Sequence, residues 1–214
     1  MKTSFSVFLE LHLPKFIKKP IHNYLDEKNL KQWHVNGCPV PPPHIVKQRI
    51  IADYQAKLGY TTLVETGTYL GAMIDAQLKR FKKIVSIEVD KKLSQRAVKK
   101  FRKYNHVKIY NGDSGIVLNE IMKEIQEPVI FWLDGHYSAG VTSKGDKNCP
   151  ILEEITAIFT HSNFNHVFLI DDARAFIGKD DYPTLKELHT HIKQYDSRYE
   201  ITVDADVIRV EKVM

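Results

Sequence analysis

Two cysteines in 214 residues, Cys38 and Cys149, are too few for a disulfide framework, and they lack the paired spacing of a zinc site. A reduced, cytosolic setting is therefore the expectation, with burial the ordinary fate of either thiol. No apolar run approaches the length of a transmembrane helix. With only 10 glycines and 9 prolines, and no repeat or low-complexity tract, the chain is neither collagen-like nor linker-rich. A hydrophobic fraction of 43% excludes a disordered chain. Neither sign of charge dominates. Basic residues number 31 and acidic ones 26, so the net charge of +5 favours acidic partners only mildly.

What is present falls into two parts. The start, Met1 to Pro14, contains Phe5, Val7, Phe8 and Leu9, but Glu10 and His12 interrupt the apolar run. No small-residue cleavage site follows, which argues against a signal peptide. With Lys15, Lys18 and Lys19 beyond it, the segment reads either as a membrane-surface helix or, preferably, as a docking arm. Consecutive prolines in Cys38-Pro-Val-Pro-Pro-Pro43 fix an extended backbone and mark a boundary. Residues 1–43 are thus expected to form an N-terminal extension, a candidate subunit contact in a homo-oligomer, and residues 44–214 the main domain.

In that domain Ile45, Ile50, Ile51, Tyr54 and Leu58 recur at helical spacing, with Gly59 as a stop. Apolar, β-rich runs then alternate with helical stretches. The strands read as 62–65, 84–88, 107–110, 129–133 and 167–170, and the helices as 72–81, 91–104, 116–125 and 151–159. Continuous apolar strands separated by helices indicate an open α/β fold, a parallel sheet covered on both faces. A helix at about 182–195 precedes two closing strands, 200–203 and 207–210. The short link Asp204-Ala-Asp206 forces those two antiparallel. A ligand belongs beyond the carboxyl ends of the parallel strands.

Three features mark those ends. Glu65-Thr-Gly-Thr-Tyr-Leu-Gly71 leads from the first strand into a helix, and its glycines permit a tight turn and close backbone approach. The spacing is G-x-x-x-G, not the G-x-G-x-x-G of nicotinamide and flavin sites. Glu88 ends the second strand, about 20 residues after the first glycine, where a carboxylate accepts both hydroxyls of a ribose. Asp113, in Asn111-Gly-Asp-Ser114, either contacts an adenine or caps the next helix.

In this order of elements the chain resembles the class I S-adenosylmethionine-dependent methyltransferases over approximately residues 60–214, most sharply at Val64–Gly71. The resemblance implies a Rossmann-like, seven-stranded, mostly parallel sheet with a C-terminal antiparallel hairpin. It places Glu65, Gly67, Tyr69 and Gly71 around the methionine half of S-adenosylmethionine, Glu88 at the ribose and Asp113 at the adenine.

The fourth strand runs into Asp134-Gly-His-Tyr-Ser138 and the fifth into Asp171-Asp-Ala-Arg174. Carboxylates converging on one rim repel unless a cation intervenes, and all-oxygen ligands suit Mg²⁺, with Ca²⁺ or Mn²⁺ as lesser options. The pattern looks like the metal-dependent small-molecule O-methyltransferases of the catechol, caffeoyl-coenzyme A and macrocin types. Carried over, Asp134, Asp171 and Asp172 are the expected metal ligands. The alternative has Asp171 capping a turn and Asp172 paired with Arg174. A divalent ion on the acceptor oxygen lowers its pKa, and His136 is the candidate base; its other role is a structural contact. Tyr137 either lines the acceptor pocket or packs. The loop 138–146 reads as a lid or as an exposed connection, and 175–183 as a second wall.

The other histidines lack paired ligand spacing and read as surface or structural residues. A pI of about 9.0 and basic runs at Lys79–Lys83 and Lys99–Lys103 raise the rival of a nucleic-acid methyltransferase or binding protein. Such runs are more often solvated helix faces. Base-amino methyltransferases carry an Asn- or Asp-Pro-Pro-aromatic motif where this chain has Asp134-Gly-His-Tyr. A cofactor-binding module without catalysis is a further rival. The reading preferred is an S-adenosylmethionine-dependent O-methyltransferase with a small hydroxylated acceptor.

Overall fold

The computed structural model of the protein describes residues 15–135 and 149–213, with backbone alone at residues 15–20, 22 and 23. Expectations at Met1–Pro14, His136, Tyr137 and the loop 138–146 lie outside the described residues.

Helix α1 (Lys15–Val35) is followed by a turn and then by α2 (His44–Leu58). Cys38 lies exposed in that turn with positive φ, against the expectation of burial, whereas Cys149 is buried. Trp33 Nε1 donates to the Pro39 carbonyl at 2.7 Å, which pins the proline segment to α1. Leu30 of α1 shares a buried cluster with Val46, Ile50, Ile51 and Tyr54 of α2, so the extension packs on the main domain. Gly59 ends α2 in the left-handed region and returns its amide to the Gln55 carbonyl.

Strand and helix then alternate: β1 (Thr62–Thr66), α3 (Ala72–Gln77), β2 (Lys83–Glu88), α4 (Lys91–Phe101), β3 (Val107–Asn111), α5 (Ser114–Lys123), β4 (Val129–Leu133), α6 (Ile151–His161) and β5 (Val167–Ile170). A 3₁₀ turn (Ala173–Ala175), α7 (Leu185–Tyr195) and the hairpin β6 (Tyr199–Asp204) and β7 (Val207–Lys212) close the chain. The sheet runs β3-β2-β1-β4-β5-β7-β6. Pairing is parallel from β3 to β5, and β7 is antiparallel to both β5 and β6. The open α/β architecture with a C-terminal hairpin is therefore as expected.

The continuous apolar runs occupy the centre: β1, β4 and β5 are buried at every residue, whereas edge strand β3 has none fully buried. Within each strand the period of two sorts side chains into two cores. Val64, Phe131, Leu133, Phe168 and Ile170 face α5, α6 and α7, while Leu63, Ile130, Trp132 and Leu169 face α2, α3 and α4. Buried His166 belongs to this scaffold, accepting from the Val129 amide at Nδ1 (3.1 Å) and facing Ser162 Oγ at Nε2 (2.7 Å).

Most element limits shift by a few residues from the sequence reading, and three of the shifts have a local cause. The helix after the glycine loop stops at Gln77, because Phe81 turns inward to the α2-side core. Helix α7 begins at Leu185, where Thr184 and Glu187 form a capping box. The hairpin turn is two residues, Ala205 and Asp206, both with positive φ.

Candidate active site

The rim at the carboxyl ends of the parallel strands collects the residues singled out from the sequence. At the end of β1, Gly67 has φ of +83°, and a Cβ there would overlap the Asp134 carbonyl at the end of β4. Only glycine allows both the turn and that approach. Tyr69 is also left-handed, with φ of +47°, which turns its amide to donate to Glu88 Oε2 at 2.7 Å. The other oxygen, Oε1, accepts the Asp90 amide at 3.0 Å. Glu88 is 3% exposed; burial pushes its pKa up, and the two amides oppose that shift. The loop and the β2 carboxylate thus form one unit.

Glu65 lies beneath that unit rather than at its mouth. It is 1% exposed and accepts from Ser86 Oγ at 2.6 Å. Burial pushes its carboxyl up to about 8, although the Ser86 bond works in the opposite direction. Gly71 meets a packing demand: a Cβ there would stand 2.6 Å from the Phe101 ring of α4, and its φ is +69°. Lys100, read from the sequence as part of a solvated basic run, donates to the Leu70 carbonyl at 2.7 Å and pairs with Asp75 at 2.5 Å. Asp113 caps α5 through the Gly115 amide at 2.9 Å, the second of its two expected roles.

Across Gly67, the Asp134 amide donates to Thr66 Oγ1 at 3.1 Å, and the Asp171 amide donates to the Leu133 carbonyl at 3.0 Å. Asp134 and Asp171 therefore leave adjacent strands side by side. Into their midst comes Lys47 from α2. Its Nζ donates to Asp171 Oδ2 at 2.5 Å and stands 3.5 Å from Asp172 Oδ1. Burial acts to lower the Lys47 pKa, but Asp171, Asp134 and Asp172 together outweigh it and raise the value. Burial also pushes the Asp171 pKa up, and the Lys47 ammonium beside it opposes that shift. Asp171 Oδ1 accepts the Asp172 amide at 2.8 Å, so both its oxygens are engaged. Asp172 accepts from Arg174 Nη1 at 2.9 Å, and Arg174 also pairs with buried Asp206 of the hairpin turn.

This donor set does not fit the Mg²⁺ expected from the sequence. Asp171 and Asp172 converge on an ammonium, and Asp172 forms the Arg174 pair named as the alternative. Among the described residues no group of three or more His, Cys, Asp or Glu is arranged to hold a metal ion. Sequence reasoning missed Lys47 and Asp206. The surplus of acid on the rim was the signal that a cation had to be found for it.

A shallow cleft of about 10 Å³, room for about one water, adjoins Asp171 on the other face of the sheet. Its lining includes Gly135, Cys149, Glu154, Phe176 and Tyr182, the last two from the segment expected to form a wall. Phe176 and Tyr182 meet edge to face at 5.4 Å. Burial pushes the Cys149 thiol up to about 12, which makes it a wall residue, not a nucleophile. Glu154 is buried and accepts from Ser114 Oγ at 2.5 Å.

No protein-family model matches the chain, and no curated protein matches it. Solved structures do. The O-methyltransferase from Bacillus cereus in complex with S-adenosylhomocysteine matches with a TM-score of 0.58 at 15% identity, over 88% of this chain and 90% of that one. The O-methyltransferase TomG from Streptomyces achromogenes, in complex with S-adenosylmethionine, matches at 0.55 and 13% identity, over 88% of each chain. This chain has the class I methyltransferase fold. The N-methyltransferase NodS from Bradyrhizobium japonicum shares it at 0.53 and 12% identity, over 80% of this chain and 97% of that one. The methyltransferase fold thus spans acceptors of different chemistry, and at these identities the likeness is one of fold alone. Among the described residues no helix is long and apolar enough to cross a membrane.

Proposed function

We propose that the protein transfers a methyl group from S-adenosylmethionine to a hydroxyl of a small molecule. The observation that carries the reading is the Gly67–Tyr69–Glu88 unit: a glycine where a Cβ would overlap Asp134, and a buried carboxylate fixed by two amides on the next strand. Glu88 is the acceptor for the ribose hydroxyls, and Gly67 leaves room for the methionine half. Asp113 stands at the adenine end while capping α5. When bound, the cofactor supplies an electrophilic methyl group on a sulfonium. The chain's own residues then orient the acceptor, keep water out and take a proton. The acceptor is proposed to lie beside Asp171, against a wall made by Phe176 and Tyr182, and His136 is the proposed base.

The O-methyltransferases from Bacillus cereus and Streptomyces achromogenes, which share the fold, support oxygen as the acceptor atom. A nucleic-acid acceptor is the second reading, favoured by charge. Residues 79–108 hold 12 basic and 2 acidic residues, a net +10, which leaves −5 for the rest of the chain. Most of that charge lies at the beginnings of β2 and β3, where Lys79, Arg80, Lys82, Arg102 and Lys103 are exposed. A five-residue strand, about 17 Å, separates that edge from the rim, which favours the small molecule.

A thermal-shift panel tests the reading. S-adenosylmethionine and S-adenosylhomocysteine raise the melting temperature, and NAD and ATP do not, because a ligand bound to the native state stabilises it by mass action. Stabilisation by NAD alone would refute the assignment.

A further inference from the structure

We propose that Lys47 is the resident cation of the acidic rim, holding Asp171 and Asp172 in the place of a divalent ion, so that the site works without one. Three observations carry this. The Lys47 ammonium is 2.5 Å from Asp171 and 3.5 Å from Asp172, and its side chain is only 12% exposed. Both Asp171 oxygens already have donors, Lys47 Nζ and the Asp172 amide. The remaining charge on Asp172 is met by Arg174, which the hairpin turn holds through Asp206.

A divalent ion demands several oxygen ligands with free lone pairs and no like charge within contact distance. An ammonium seated in the cluster puts a like charge where the ion would bind. It compensates the same carboxylates with one charge, needs no uptake from solution, and comes from α2, outside the strand and helix alternation that builds the rest of the rim. Its attachment to α2 also ties the helix that receives the N-terminal extension to the β4–β5 end of the site.

Manganese titration, followed by the electron paramagnetic resonance of the free ion, tests this without methyl donor or acceptor, so its outcome is separate from that of the cofactor panel. Wild-type protein is expected to show no saturable site. Lys47→Met should gain one, at least about tenfold tighter than anything in the wild type, and Lys47→Met/Asp171→Asn should lose it again. A saturable wild-type site that Asp171→Asn removes would overturn the proposal. So would a folded Lys47→Met that gains no site, because the lysine would then not be what keeps the ion out. If Lys47→Met does not fold, the wild type against Asp171→Asn decides: identical silent titrations support the proposal, and a site confined to the wild type overturns it.

Discussion

The two halves of the rim hold their carboxylates by different means. On the β1–β3 side, Glu88 is fixed by the Tyr69 and Asp90 amides and Asp113 by the Gly115 amide, all peptide groups of neighbouring loops. On the β4–β5 side, side-chain cations join the amides: Asp171 accepts from Lys47, 124 residues away in the chain, as well as from the Asp172 amide, and Asp206 pairs with the Arg174 guanidinium, 32 residues away. Backbone donors are fixed in number and place once the strand and turn form. Side-chain cations can be removed one at a time. The first half is therefore suited to a cofactor with invariant groups, and the second can change with the acceptor without disturbing the sheet.

Breaking the ionic half should have the largest effect. Asp171→Ala leaves the buried Lys47 ammonium without its nearest carboxylate, and urea denaturation should show a loss of about 3 kcal/mol. Adding Lys47→Met should recover most of that loss, because the stranded charge is gone. In the amide-held half, Gly67→Ala forces a side chain into the left-handed region and onto the Asp134 carbonyl. Its expected cost is about 2 kcal/mol, with weakened binding of S-adenosylhomocysteine.

A pH experiment sharpens the contrast. Burial lifts Glu65 from an ordinary 4.5 to about 8, so between those values the folded protein keeps a proton that the unfolded chain releases. Wild-type stability should fall as pH rises through that window. Glu65→Gln should not share the fall, and the two should diverge by on the order of 2 kcal/mol between pH 5 and pH 8 in urea titrations. The smallest effect belongs to Asp113→Ala. Loss of the α5 cap should cost about 1 kcal/mol by the same measurement.

The same division decided what could be read from sequence. The apolar runs Val129–Leu133 and Val167–Ile170 match β4 and β5 residue for residue, because a strand buried on both faces has no polar positions to blur its limits. The Gly67 loop, Glu88 and the Asp113 cap were legible because each is a local spacing at a strand end. Lys47 was not. Its helix was evident from Ile50, Ile51 and Tyr54, but a lysine between apolar positions looks like any solvated one until α2 is laid across the ends of β4 and β5. Asp206 was hidden likewise, since only the antiparallel return of β7 beside β5 carries the hairpin turn back to the rim. The metal expectation had the same blind spot: the cation that meets Asp171 and Asp172 comes from a segment that local pattern does not connect to the rim.

Calorimetric titration of S-adenosylhomocysteine into the wild type and Glu88→Ala tests the central claim most directly. One site per chain is expected in the wild type, weakened at least about tenfold in the variant, where two buried amides and the ribose lose their acceptor. Equal affinity in both proteins, or no binding to the wild type, would contradict the account.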